Sequence, residues 1–234
     1  MSLKAMVFID GAWLYRNRNS IFRKLGEANG CEIDYAKLPR VFRDDVANFL
    51  DEDISLVRTN YFGTLPSARS SFSSPKQRSF YDFLERNCGY EMEIHEVDVG
   101  GEGGHDETWI KMALGASLMY NAALPSALDI AILIGDDVDY APVLHRVRSY
   151  GKRIQLVTAH DDDDGSNPAA GTSLIWKSRV SDFPPLFIDD HAEEVRLVRE
   201  TVTRVCKQCG REEETTWAGP EFFCSSCRRR YNHA

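Results

Sequence analysis

Residues 132–144 read ILIGDDVDYAPVL. An apolar run ends at Gly135 and gives way to three aspartates, Asp136, Asp137 and Asp139. Pro142 and a helical pattern follow. With the residues before it, ALDIAILIG has the length and branched aliphatic content of a buried strand. Three carboxylates within four positions repel one another, so something must offset that cost. A metal ion, a cation-rich partner or plain solvation would each do so.

Outward from this stretch, strand and helix patterns alternate. KAMVFID (4–10) reads as a buried strand and LYRNRNSIFRKLG as a helix stopped by Gly26. RVFRDDVANFLD spaces Val41, Phe42, Val46, Phe49 and Leu50 as a helix does, and ISLVRTNYFG (54–63) is a second strand. Residues 65–74 are rich in serine and proline and read as a loop. Ser74, Pro75 and Gln77 then give a helix start, with a cap, a proline at the first position and a capping-box glutamine. That helix runs to about Gly89. YEMEIHEVDV is a third strand, GGEGG (100–104) a turn and DETWIKMALGASLMYNAAL a long helix. After the strand at 127–135, YAPVLHRVRSYG is a helix and RIQLVTA a fifth strand. HDDDDGSNPAAG (160–171) is a polar loop, PPLFIDD closes a domain near residue 190, and HAEEVRLVRETVTRV reads as a helix.

Such alternation calls for an α/β fold, a mostly parallel sheet with helices on both faces. Ligands bind such sheets outside the carboxyl ends of the strands. Asp10 ends the first strand, Asp136, Asp137 and Asp139 follow the fourth, and Asp106 follows the glycine turn. The topology therefore gathers carboxylates at one sheet edge. Clustered carboxylates suit Mg²⁺ or Mn²⁺, which prefer oxygen ligands. No G-x-S-x-G, no P-loop and no G-x-G-x-x-G after a strand is present, which disfavours hydrolase triads, P-loop NTPases and dinucleotide enzymes.

MVFIDGAWLY resembles the opening strand of NYN domains, the LabA-like branch of the PIN-like nuclease superfamily. AILIGDDVDYAPVLHRVRSYGKRIQLV resembles their later segment, usually S-G-D-x-D-F-x-P, then a helix, a glycine and a strand. GGHDETWIKMAL is similar to the intervening acidic helix start and TSLIWKSRVSDF to the closing segment. The resemblance spans roughly residues 4–190 and implies a PIN-like Rossmannoid three-layer sandwich. It also implies a metal-dependent ribonuclease that hydrolyses RNA with a metal-activated water. By position, Asp10, Asp106, Asp137 and Asp139 take catalytic roles, with Asp10, Asp137 and Asp139 as ligands of Mg²⁺ or Mn²⁺.

The chain departs from the family pattern at several positions. Trp13 stands where asparagine is usual, Gly135–Asp136 replaces Ser-Gly, Val138 replaces a small residue, and Met112 stands at a second acidic position. Asp136 would restore one ligand and Asn17 a polar group near Asp10. These departures motivate a second reading, a non-catalytic NYN adaptor that binds RNA or protein. A haloacid-dehalogenase-type phosphatase is disfavoured, because Asp10 is followed by Gly11 and Ala12 rather than a second aspartate two positions on.

Plainer readings exist for single residues. Asp136 alone reads as a solvated turn residue or helix cap, and Asp106 would also serve as a cap. Asp161–Asp164 read as a solvated loop, His105 and His145 as surface or packing residues, and Trp109, Met112 and Leu114 as core.

Cys206, Cys209, Cys224 and Cys227 form two C-x-x-C pairs separated by fourteen residues. The spacing fits a closed tetrahedral, structural Zn²⁺ site and resembles a zinc ribbon. Residues 204–234 hold six Lys or Arg against four Glu, a net of +2; with the whole chain at −8, the remainder carries −10. That balance opposes broad wrapping of nucleic acid but admits local contacts. Arg228, Arg229, Arg230 and Tyr231 form one such candidate RNA contact, through phosphate binding and base stacking. Arg16 and Arg18, close after Asp10, form another.

The resulting division is an NYN/PIN-like domain (1–190), a helical linker (191–204) and a zinc ribbon (205–234). No signal peptide or membrane segment is recognisable, so the expectation is a cytoplasmic protein with RNA as partner. The ribbon would recruit RNA or a protein, and homodimerisation stays open.

Overall fold

The computed structural model describes residues 2–25, 31–66, 75–97, 108–160, 177–199, 201–217 and 219–231, with the backbone alone at 24 and 229–231. The glycine turn at 100–104, Asp106, and the acidic run 161–164 lie outside the described residues. The chain divides into two compact units, Met1–Arg196 and Leu197–Ala234.

In the first unit, β1 (Leu3–Asp10), β2 (Ile54–Pro66), β3 (Glu91–Val97), β4 (Ile130–Ile134), β5 (Arg153–Thr158) and β6 (Leu186–Phe187) form one sheet. Its order is β3-β2-β1-β4-β5-β6 and every pairing is parallel. The strand order reverses direction at β1, which makes the crevice between the carboxyl ends of β1 and β4 the switch point of the sheet.

Alternation along the strands feeds two cores. Ala5, Val7 and Ile9 of β1 and Ile130, Ile132 and Ile134 of β4 pack on one face, under α1 (Gly11–Ile21), α2 (Leu38–Leu50) and α3 (Pro75–Cys88). Met6 and Phe8, with Ala131 and Leu133, pack on the other, under α4 (Thr108–Ala123) and α5 (Ala141–Ser149). Strands buried on both faces must be apolar at successive positions, as these are. The three layers and the parallel sheet match the expectation.

β2 extends past Gly63, where the sequence pattern ends, as far as Pro66. Beyond Phe62 it pairs with β3 alone, and a proline is tolerated where one side of a strand has no ladder to feed. Gly11 opens α1 directly after Asp10, earlier than the apolar spacing suggests. A Cβ there would sit 2.4 Å from the Tyr61 ring and 2.6 Å from the Phe62 carbonyl oxygen, so the close approach of α1 to β2 requires glycine.

Two expectations fail. The helix read across 191–205, including the proposed helical linker, shrinks to α6 (Ala192–Val195). Arg196 turns extended and bridges to Ile33, while the Asp34 N–H donates to the Val195 carbonyl at 2.7 Å. These tertiary backbone bonds outweigh local propensity. Met112 is not core but 68% exposed. α4 is apolar around most of its circumference, and the sheet takes the face carrying Ile110, Leu114 and Leu118. Trp109 is half-buried and stacks on His95 with ring centroids 4.7 Å apart.

In the second unit, β7 (Val202–Val205) pairs antiparallel with β8 (Glu212–Thr215), and α7 (Ser225–Tyr231) follows. The branched residues of VTRV suit a strand better than the helix read from their spacing. Among the described residues, no helix is long and apolar enough to cross a membrane.

Candidate active site

Asp10 is 3% exposed. As the last residue of β1 it caps α1: its Oδ1 accepts from the Trp13 N–H at 2.9 Å. Its Oδ2 accepts from the Tyr140 hydroxyl at 2.8 Å. Burial, then the charge of Asp10, push the Tyr140 phenol far above its usual range, so it stays a donor. Tyr140 thus ties β1 to the segment after β4.

Asp137 caps a short 3-10 turn, Val138–Tyr140, its Oδ1 accepting from the Asp139 N–H at 2.9 Å. Its Oδ2 lies 2.5 Å from the Lys111 ammonium, and Asp139 Oδ2 lies 2.7 Å from the same nitrogen. Lys111 comes from α4, so this contact ties α4 to the turn after β4. Its hydrogen bond and charge lower the pKa of the exposed Asp139 carboxyl. For Lys111, partial burial pulls the pKa down, yet the bonds and charges of Asp137 and Asp139 outweigh it and the net shift is upward.

Asp136 is neither a solvated turn residue nor a cap. Its Oδ2 accepts from the Thr158 hydroxyl at 2.5 Å and pairs with the Lys177 ammonium. Lys177 is 1% exposed. Asn17 donates its amide to the Trp13 carbonyl at 2.9 Å, a bond within α1 rather than to Asp10. Trp13 is itself buried in the first core.

The carboxylates of Asp10, Asp136, Asp137 and Asp139 outnumber the ammonium groups of Lys111 and Lys177 by two, and the Arg16 charge also reaches Tyr140. Hard oxygen donors with that excess fit a divalent cation in chemistry and charge. Asp137 and Asp139 already converge on one cation, the Lys111 ammonium. Asp10, Asp137 and Asp139 do not, however, bring ligand atoms mutually within 4.8 Å. Among the described residues two groups do: the four cysteines, and His160 with Asp189 and Asp190. In the latter, the buried Asp189 carboxylate takes the His160 N–H at 3.0 Å and faces its Nδ1 at 2.8 Å, while the imidazole stacks on Phe187.

Arg16 and Arg18 are exposed on α1, and the Arg18 guanidinium lies 4.2 Å over the Tyr15 ring. In the second unit, Arg228 donates through Nε to the Phe223 carbonyl at 2.7 Å, so part of its role is to hold the knuckle. The side chains of Arg229, Arg230 and Tyr231 lie outside the described residues.

The sulfurs of Cys206, Cys209, Cys224 and Cys227 all lie within 4.8 Å of one another. The Cys209 and Cys224 sulfurs are 3.6 Å apart, too far for a disulfide and close to the ~3.8 Å edge of a tetrahedron with 2.3 Å Zn–S bonds. The Cys224 N–H, donating to Cys206 Sγ at 3.3 Å, is the chief cause that lowers the Cys206 thiol to about 6. Cys227 is pushed up to about 12, chiefly by its hydrogen bond with Cys224. This donor set fits Zn²⁺.

The NYN-domain profile matches residues 4–189. This chain belongs to the NYN-domain family. NYN domains are nuclease-like domains of the PIN type. A crystal structure of a protein of unknown function from Vibrio parahaemolyticus RIMD 2210633 is similar, with a TM-score of 0.53 at 17% identity, over 84% of this chain and 97% of that one. At that identity the likeness carries the fold alone. No curated protein matches the chain.

Lys111, Tyr140, Thr158 and Lys177 are the site residues that sequence reading missed. Tyr140 carried a signal, since it takes the aromatic place in the family's D-x-D-F-x-P motif. The two lysines carried none.

Proposed function

We propose that this NYN protein is a divalent-metal-dependent ribonuclease. Asp137 and Asp139 hold Mg²⁺ or Mn²⁺ together with Asp10, and Asp106 joins the catalytic set through its place in the motif. One observation carries the reading: Asp137 and Asp139 converge on a single cationic nitrogen, 2.5 and 2.7 Å away, at the switch point of the sheet. Such an ion, when bound, supplies Lewis-acid polarisation of the phosphodiester and lowers the pKa of water. The chain's own residues do the rest. Tyr140 and the Trp13 N–H fix the Asp10 carboxylate, and Lys177 neutralises Asp136. Arg16 and Arg18 draw the RNA backbone towards an otherwise anionic edge. The cysteine module, residues 205–234, is a zinc ribbon that presents RNA or recruits a protein.

The test is cleavage of a mixed RNA ladder in Mn²⁺ by the zinc-loaded protein beside an Asp137→Asn, Asp139→Asn variant. Cleavage by the first and not the second supports the reading. Intact RNA with both, while both are folded, rejects it. A second reading, a non-catalytic adaptor that binds RNA or protein, is favoured by two features. Each described carboxylate at the edge has a protein donor, and the exposed Met112 stands where the family has an acid. Metal-independent RNA binding, unchanged in the double variant, would support the adaptor.

A further inference from the structure

The Asp137–Asp139 pair is already satisfied by a cation of the protein's own. Lys111 reaches it from α4 and bonds both carboxylates. Asp137 and Asp139 lie 26 and 28 residues from that lysine in sequence, so the contact is built by the fold and not by neighbouring residues. Lys111 and Asp137 are each about a quarter exposed and Asp139 is 64% exposed. Solvent and solutes therefore reach all three. A divalent ion at these oxygens would lie within a few ångströms of the ammonium if Lys111 stayed, and like charges at that range repel strongly.

We propose that Lys111 is an exchangeable counter-cation that competes with divalent metal for Asp137 and Asp139, and that an RNA phosphate relieves the competition by taking over the displaced ammonium. This inference rests on the metal-site reading above and adds a coupling to it. The lysine has three donors on a flexible four-carbon stem, which lets it move from carboxylate to phosphate without backbone change. The exchange links two binding events, so RNA tightens metal and metal tightens RNA by the same factor. Metal would then load with substrate present rather than in its absence. Lys177 cannot take this part, because it is buried against Asp136.

The experiment is a Mn²⁺ titration, read by calorimetry or by loss of the free-ion paramagnetic resonance signal. It uses the full-length, zinc-loaded chain as wild type, Lys111→Met and Lys111→Arg. The Asp137→Asn, Asp139→Asn variant defines binding elsewhere. Each titration is repeated with a short phosphorothioate-backbone RNA. Lys111→Met should bind Mn²⁺ at least about tenfold more tightly than wild type in the absence of RNA, from the loss of two ion pairs and one repelling charge. Lys111→Arg, which keeps the charge, should stay near wild type. RNA should tighten Mn²⁺ binding to wild type by a larger factor than to Lys111→Met.

Equal Mn²⁺ affinity in wild type and Lys111→Met would overturn the competition while leaving the metal site standing. An RNA effect as large in Lys111→Met as in wild type would overturn the relay to phosphate. If no protein binds Mn²⁺ beyond the level of the double-aspartate variant, the metal-site reading falls and this inference falls with it.

Discussion

Replacing Lys177 with methionine should destabilise the NYN unit. The ammonium is 1% exposed and the Asp136 side chain 15% exposed. Water has little access to either. Removing one member of a buried ion pair leaves an uncompensated charge, and the usual cost is about 3–5 kcal/mol. Here the Thr158 hydroxyl still donates to Asp136 Oδ2, and the small exposure of Asp136 admits some solvation. Both lower the expected cost, to about 2–4 kcal/mol. For a unit of this size each kcal/mol shifts Tm by about 2–4 °C, so Lys177→Met should melt roughly 4–16 °C below wild type. Asp136→Leu, which strands the buried Lys177 ammonium, should also be destabilised. The double change Lys177→Met, Asp136→Leu should recover much of the loss, since it removes both charges together. The assay is thermal and urea unfolding of the four proteins, followed by tryptophan fluorescence in a Trp217→Phe background so that the second unit contributes no Trp217 signal. Additive losses, with the double variant as unstable as the sum, would refute the reasoning. So would a Lys177→Met variant within 0.5 kcal/mol of wild type, a margin of about the size expected for an unremarkable surface change.

Three further outcomes follow from the same geometry. Tyr140→Phe deletes a buried donor to the Asp10 carboxylate and should cost about 1.5–3 kcal/mol in urea unfolding, since bonds to charged groups lie in that range. Asp139 should titrate below the ordinary carboxylate range in a pH series followed by carboxyl carbon NMR, and Lys111→Met should return it to that range. Its folded pKa is lowered, so its contribution to stability is fully present above the unfolded carboxylate pKa and is lost as pH falls through the folded one. Stripping metal with a strong zinc chelator should unfold residues 197–234, seen as collapse of their backbone amide dispersion, while the amides of the sheet stay dispersed.

The succession of β1 to β5 and of the helices between them along the chain was legible because each carries an apolar signal of its own, whereas β6, two residues long, was not read as a strand. ILI at 132–134 is buried on both faces, and its run of aliphatic residues announced that directly. The gathering of Asp10 with the aspartates after β4 at one edge was also legible, since parallel topology alone brings those strand ends together. What escaped was whatever depended on pairing across distance. Lys177 meets an aspartate 41 residues before it, and nothing in WKSRV distinguishes it from a surface lysine. Met112 was misread because α4 is apolar on several faces, and composition cannot say which face the sheet will take. The stretch 191–205 was misread for the opposite reason. Its helical spacing was real, but bonds from Ile33 and Asp34 claimed the backbone at Val195 and Arg196, and β8 claimed Val202–Val205.

The excess charge after β4 is resolved in two different ways within four residues. Asp136 points to where β5 and the segment after residue 176 close over it, and its lysine is sealed from solvent. Exchange there would leave two charges stranded in a medium that solvates neither, so the pair holds the fold together. Asp137 and Asp139 face the open side, and their lysine is reached by water. Exchange there costs little, because solvent or another ion can take each partner as it is released. The same carboxylate chemistry thus gives a fixed brace on one side of Gly135's strand end and a replaceable cation on the other. Burial, not residue type, separates them.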